Sequence, residues 1–233
     1  MKLLLCLLPL AAILAACGSD PSPADPPVAL RPAIHGSVKT ADSLPVAGLR
    51  VALLFDVESG GSGDTASSAP IVLPSPVDRM MEIQFEVPAP DSVRVDIVRA
   101  YDSAVVTNLV SAVLAPGSHV VSYDAFALPN LVYRVRLKIG GRTLWRTFLL
   151  NSPQLDSIRG VTRTGADGGF VIEYSWLQLG TRLTTMFENG TIGGPITIGD
   201  SLSVLVERPA STPMIWRIKV DTTAAASARF TIE

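Results

Sequence analysis

Leu131-Val132-Tyr133-Arg134-Val135-Arg136-Leu137-Lys138-Ile139 is the stretch whose reading decides the fold. From Tyr133 onward apolar and basic residues alternate without a break. A period of two places Tyr133, Val135, Leu137 and Ile139 on one face of an extended chain, and Arg134, Arg136 and Lys138 on the other. A helix would scatter both sets around its axis. Pro129-Asn130 precedes the run and Gly140-Gly141 follows it, and both pairs are turn signals. The stretch therefore predicts one strand with a dry face and a wet face, reversed at each end.

The same pattern recurs outward from it. Ile83, Phe85 and Val87 alternate with Glu82, Gln84 and Glu86, and Val93, Val95 and Ile97 alternate with Arg94 and Asp96. Further turn signals stand at Pro88-Ala89-Pro90-Asp91 and Pro116-Gly117. Short strands at this spacing predict an antiparallel β-sandwich. Upstream, Leu49, Val51, Leu53 and Phe55 form one apolar face. Downstream, Asp167-Gly168 is a hairpin signal, and strand candidates follow at 202–206, 215–220 and 229–232. The chain reads as all-β.

Two breaks divide the body. Residues 59–71 have linker composition, and residues 151–157 form a shorter interruption. Residues 17–33 form a proline-rich tether, semi-extended by composition. The piece at 34–58 is too short to bury its own apolar face, because an isolated hairpin is marginal in water. The expected organisation is a discontinuous sandwich of residues 34–58 plus 159–233, with a second sandwich, residues 72–151, inserted into it. Insertions are tolerated where both ends reach exposed loops.

The N-terminus carries an address. Met1-Lys2 is a charged start, Leu3 to Ile13 is apolar, and Leu14-Ala15-Ala16 leads into Cys17. The apolar run is shorter than the ~20 residues of a spanning helix. These residues resemble a bacterial lipoprotein signal peptide over residues 1–16, a signal helix removed on maturation. The resemblance implies that Cys17 becomes the first mature residue and carries a diacylglycerol and palmitate, anchoring the protein in a membrane. Gly18, where inner-membrane retention uses aspartate, implies the outer membrane of the cell envelope, on its periplasmic or surface face. The mature chain would hold 217 residues at a formal charge of −3, and no further cysteine. A weakly acidic chain offers no case for nucleic acid. Disulfides and cysteine chemistry are excluded from the mature body.

Two further resemblances concern the body. Pro74-Ser75-Pro76, Ile83-Gln84-Phe85, Val93-Arg94-Val95, Ala115 through Ala125, and Leu128 through Leu137 resemble the immunoglobulin-like domain shared by flagellar hook-capping proteins and the type A sorting domains of the type IX secretion system. Gly36-Ser37-Val38 and Pro45 through Val51, with Thr164-Gly165-Ala166-Asp167-Gly168-Gly169-Phe170, resemble a carboxypeptidase regulatory-like domain, a small prealbumin-like sandwich. Together they imply two immunoglobulin-like or prealbumin-like sandwiches.

Candidate chemistry is sparse. His35 and His119 are the two histidines, and neither has Cys or Glu at ligand spacing, so neither a metal nor another cofactor is expected. No nucleophile elbow, zinc-protease or phosphate-loop motif occurs, and no catalytic residue is assigned. Asp56 with Glu58, or Asp156 with Asp167, have the composition of a carboxylate pair and the ordinary features of solvated surface. Arg94, Arg134, Arg136 and Lys138 form a basic stripe. It reads either as a surface for an acidic glycan or protein partner, or as a solvated face paired with Glu82 and Glu86 across strands. Trp145, Trp176 and Trp216 are expected in the core, with Trp176 the one able to reach the surface. The function these features predict is a non-catalytic cell-envelope lipoprotein with a structural or adhesion-type binding role. The alternative is an accessory or cargo component of a secretion or surface-assembly system.

Overall fold

Alternating runs become strands throughout the computed structural model, which describes residues 33–59, 70–153, 160–187, 189–190, 192–208, 212–221 and 226–232. Cys17, the signal segment and Asp156 lie outside these residues, as do nearly all of the tether and most of both breaks. In chain order the strands are β1 (Ala33–Thr40), β2 (Arg50–Ser59), β3 (Ile71–Leu73), β4 (Met80–Val87), β5 (Asp91–Arg99), β6 (Val105–Leu114) and β7 (Gly117–Asp124). There follow β8 (Leu131–Ile139), β9 (Arg142–Leu150), β10 (Thr162–Arg163), β11 (Gly169–Glu173), β12 (Arg182–Met186), β13 (Ile192–Val206), β14 (Met214–Lys219) and β15 (Ala226–Ile232). One helical turn, α1 (Tyr174–Leu177), and a short 3₁₀ turn at Ala125–Ala127 complete the described elements. No helix among them is long and apolar enough to cross a membrane.

The strands form four sheets, antiparallel except where β1 runs parallel to β15. In the middle of the chain a sheet of order β3-β4-β7 accompanies one of order β6-β5-β8-β9. In β4 the alternation is complete: Met81, Ile83, Phe85 and Val87 are buried, while Met80, Glu82 and Glu86 are exposed. Val93, Val95 and Ile97 of β5 and Val135 and Leu137 of β8 join the same core. Each such side chain withdrawn from water contributes about 1.5–3 kcal/mol. Gly140 and Gly141 both have positive φ, which is what the two-residue turn joining β8 to β9 requires.

The flanking pieces build the other two sheets, of order β11-β1-β15 and β10-β2-β13-β12, with β14 added on β13. Gly36 of β1 lies opposite Phe170 of β11, and the phenyl ring covers the glycine so closely that a Cβ there would overlap it. Leu53 of β2 lies opposite Val204 of β13. The register of β2 on β13 shifts between Ile198 and Leu202, so β13 bends, pairing β12 with its first part and β14 with its second. One apolar core joins residues of β1, β2, β11, β12, β13 and β14 to those of the middle sheets.

Two asparagines tie β2 to the middle of the chain. The Asn151 amide accepts from Phe55 N–H at 2.9 Å and donates to Phe55 C=O at 3.0 Å, as a neighbouring strand would. Asn130 Nδ2 donates to the carbonyls of Leu53 and Ser152, and its Oδ1 accepts from Ser152 N–H.

Tyr133 fixes the corner before β8. Its ring is buried and stacked on Phe148, and its hydroxyl donates to Pro129 C=O at 2.9 Å. Burial, with the Tyr101 hydroxyl nearby, raises the phenol above its ordinary value, so it stays a donor at any working pH. Tyr133→Phe keeps the ring and strands that carbonyl. The expected loss is about 1–3 kcal/mol, seen as a lower urea midpoint at unchanged slope. An unshifted midpoint would show that the hydroxyl does not hold the corner.

Candidate functional site

The basic stripe lies on the outer face of the β6-β5-β8-β9 sheet. Register sorts that face into rows. Asn108, Asp96, Arg136 and Trp145 lie opposite one another across the four strands. The next row is Ser111, Arg94, Lys138 and Thr143, and the row on the other side is Val105, Val98, Arg134 and Thr147. Residues advance by two along β5, β8 and β9 but by three along β6. The reason is a pair of β-bulges, which add Leu109 and Val106 to β6. Bulges re-aim side chains, and the first of these turns Asn108 toward Asp96.

Asp96 is the centre of the face. It is fully buried although it points to the outer side, because three side chains close over it. Arg136 donates to Oδ2 from Nη2 at 2.7 Å and from Nε at 3.1 Å. Arg94 Nε lies 3.0 Å from both carboxylate oxygens, and Asn108 Nδ2 donates to Oδ1 at 2.9 Å. Asn108 also donates to the carbonyls of Val95 and Val110. Burial opposes ionisation of Asp96. The hydrogen bonds from Arg136, Asn108 and Arg94 and the charge of Arg136 outweigh it, and the carboxyl lies below its ordinary range. The carboxylate thus holds two guanidiniums by their inner edges. Arg136 sits 5.9 Å from the centre of the Trp145 ring, within cation–π reach.

The four cations share this face as their spacing predicts, but the carboxylate that pairs with Arg94 and Arg136 is Asp96. Glu82 and Glu86 cannot pair with them, since β4 hydrogen-bonds to β3 and β7 in a different sheet; Glu86 accepts from Ser118 of β7 instead. Arg134 and Lys138 make no ion pair among the described residues. Trp145 and Trp216 are corrections to the expectation of buried tryptophans, being 41% and 45% exposed. Trp145 stands opposite Arg136 and so shares its outward face. Trp176 is half-buried and stacks on Tyr101. Lower on the face, Val98, Val132 and Leu149 are buried, and α1 packs against β8. The open part is therefore the end bearing Arg94, Arg136, Lys138 and Trp145.

The histidines are apart. His119 of β7 donates from Nε2 to Ala115 C=O at 2.9 Å and stacks on Phe85. Exposed His35 of β1 lines an open cleft of about 1030 Å³ with Gly36, Lys39, Arg163, Asp167 and Phe170. Asp167 accepts from Gly169 N–H at 2.8 Å, which is its part in the turn. Asp56 is paired with Arg217. Among the described residues no three His, Cys, Asp or Glu side chains gather as a metal site would require. Comparison with family models, with curated proteins and with solved structures finds no match to the chain.

Sequence reasoning missed Asp96, Asn108, Asn130 and Asn151. The alternation set Asp96 among residues facing water, and the side it faces is right. Two of the three side chains that close over it lie 12 and 40 residues away.

Proposed function

We propose that this chain is a cell-envelope lipoprotein that binds an anionic partner and carries out no catalysis. It is held by acyl chains on Cys17, through the tether of residues 17–33, most simply on the outer membrane. Its body is read as two sandwiches: an inserted immunoglobulin-like one of residues 72–151, and a discontinuous prealbumin-like one of residues 34–58 plus 159–233. Three sheet strands against four, with the Tyr133 hydroxyl closing the corner at Pro129, support the first assignment. The pairing of β2 with β13, and of β1 with β11 and β15, supports the second.

The observation that carries the binding role is the outward row Asn108–Asp96–Arg136–Trp145 with Arg94, Arg134 and Lys138 around it. Four cations share it with one carboxylate. A chain of negative net charge concentrates positive potential on this one face, which favours an anionic partner there.

Two measurements test the reading. Labelled palmitate should mark the protein in growing cells, and Cys17→Ser should abolish the label; persistent label in that variant would remove the anchor from the account. Crosslinking on intact cells should capture a partner that is lost with Arg134→Glu plus Lys138→Glu, the first half-buried and the second exposed. Capture indifferent to that double change would place the binding surface elsewhere.

A further inference from the structure

Resting on that reading of the cationic face, we infer that its ligand is a carboxylated polysaccharide, a chain of uronic-acid type. Three features of the face select this class. The first is charge with fixed geometry. Asp96 engages Nε of Arg94 and Nε and Nη2 of Arg136. The two terminal nitrogens of Arg94 and Nη1 of Arg136 make no hydrogen bond among the described residues. Guanidinium donors held in this way meet a carboxylate in the paired geometry that arginine favours, at little further cost in side-chain entropy. Asp96 is thus a positioning residue.

The second feature is a single exposed aromatic beside those donors. Trp145 presents its ring on the same face, with Arg136 at 5.9 Å. A pyranose ring has one side lined by C–H groups, and that side packs on an aromatic face whose π cloud is negative. Stacked there, the sugar places its carboxylate near the neighbouring guanidiniums. Arg134 and Lys138 lie one row to either side on β8. Residues two apart along a strand are about 6.6–6.8 Å apart, so cations spaced along β8 can follow charge repeated along a polymer.

The third feature is what the surroundings lack. A protein–protein interface centres on an apolar, well-packed patch. Trp145 is instead flanked on β9 by Thr143 and Thr147, and Ser111 and Asn108 complete the two rows of Arg94 and Asp96 on β6, where exposed Val105 and Val113 stand near the two ends of that strand. Hydroxyl and amide neighbours suit a polyhydroxylated ligand. An acidic peptide would use the charge and leave the tryptophan idle.

The test measures binding of the full chain, purified in detergent, to polygalacturonate. Methyl-esterified polygalacturonate, which keeps the ring and lacks the charge, and poly-L-glutamate, which keeps the charge and lacks the ring, are the controls. Polygalacturonate is expected to bind, with both controls at least tenfold weaker. Trp145→Ala should weaken polygalacturonate at least tenfold and leave poly-L-glutamate unchanged. Lys138→Glu, at an exposed position, should weaken both anions. Poly-L-glutamate binding as tightly as polygalacturonate, or Trp145→Ala without effect, overturns the sugar and, if Lys138→Glu still weakens binding, leaves an anion-binding face for an acidic protein. Absence of binding to either anion overturns both the ligand and the face.

Discussion

Replacing Asp96 with alanine is expected to cost about 3 kcal/mol of folding stability. Removing one member of a buried ion pair leaves the other charge uncompensated, which costs about 3–5 kcal/mol. The lower end applies here because Arg94 keeps access to water, its side chain 48% exposed. Arg136, 19% exposed, and Asn108 lose the acceptor they converge on. The acid side gives a second readout. The folded-state carboxyl lies below its ordinary range. Its stabilising contribution is therefore present in full above the unfolded value, about 3.9, and lost as pH falls through the folded one. Wild type should lose stability below about pH 4 more steeply than Asp96→Ala does. Changing the pair together, Asp96→Leu with Arg136→Leu, should recover much of the loss, since apolar replacement of a whole buried pair is often neutral. Chemical denaturation of the three proteins at pH 7 and pH 3.5 measures all of this. Equal stability of wild type and Asp96→Ala at pH 7 would show that the network contributes nothing to the fold.

Gly168→Ala is expected to cost about as much, roughly 3–4 kcal/mol, for a different reason. Gly168 has φ of +72°, where a side chain alone costs about 1–2 kcal/mol. Its missing Cβ would also lie 2.3 Å from Val38 O and 3.1 Å from Val46 N. Those atoms belong to a tight set of backbone bonds: Val38 N–H donates to Gly168 C=O at 2.9 Å, and Val46 N–H donates to Val38 C=O at 3.0 Å. A methyl group there must push β1 away from the turn that leads into β11. Gly180→Ala is the control, because Gly180 has φ of +74° with open space where the methyl would go. It should lose only the conformational part, about 1–2 kcal/mol. Equal losses at the two glycines would show that contact with β1 does not matter.

The strands were legible where one face is dry. The alternation of 131–139 predicts the buried set Tyr133, Val135, Leu137 and Ile139, and the structure buries all four. Leu49, Val51, Leu53 and Phe55 behave in the same way. Period two reports the side of a strand and nothing about its neighbours. That is why Glu82 and Glu86 look like partners for the arginines in the sequence, although β4 belongs to another sheet. It is also why Trp145 looks like core. Its exposure follows from register, which sets it opposite Arg136. The bulges that lead Asn108 to Asp96 break the period in β6, a run with no charged residue to mark its faces. Asn130 and Asn151 gave a turn signal and a break signal, but their grip on β2 spans 77 and 96 residues of chain. No local pattern reports a bond of that range.

The parallel seam between β1 and β15 has a mechanical side. Seven residue pairs join them, from Ile34 opposite Ala226 to Thr40 opposite Ile232, and β11 borders β1 along its other edge. A pull that enters the body at residue 33 runs along the axis of β1. The bonds on both edges stand across that direction, so they are loaded side by side and must yield together. A hairpin peeled from its open end would lose its bonds one by one. Under the anchoring proposed above, through residues 17–33, β1 is therefore loaded in shear, with the bonds on both of its edges sharing the force.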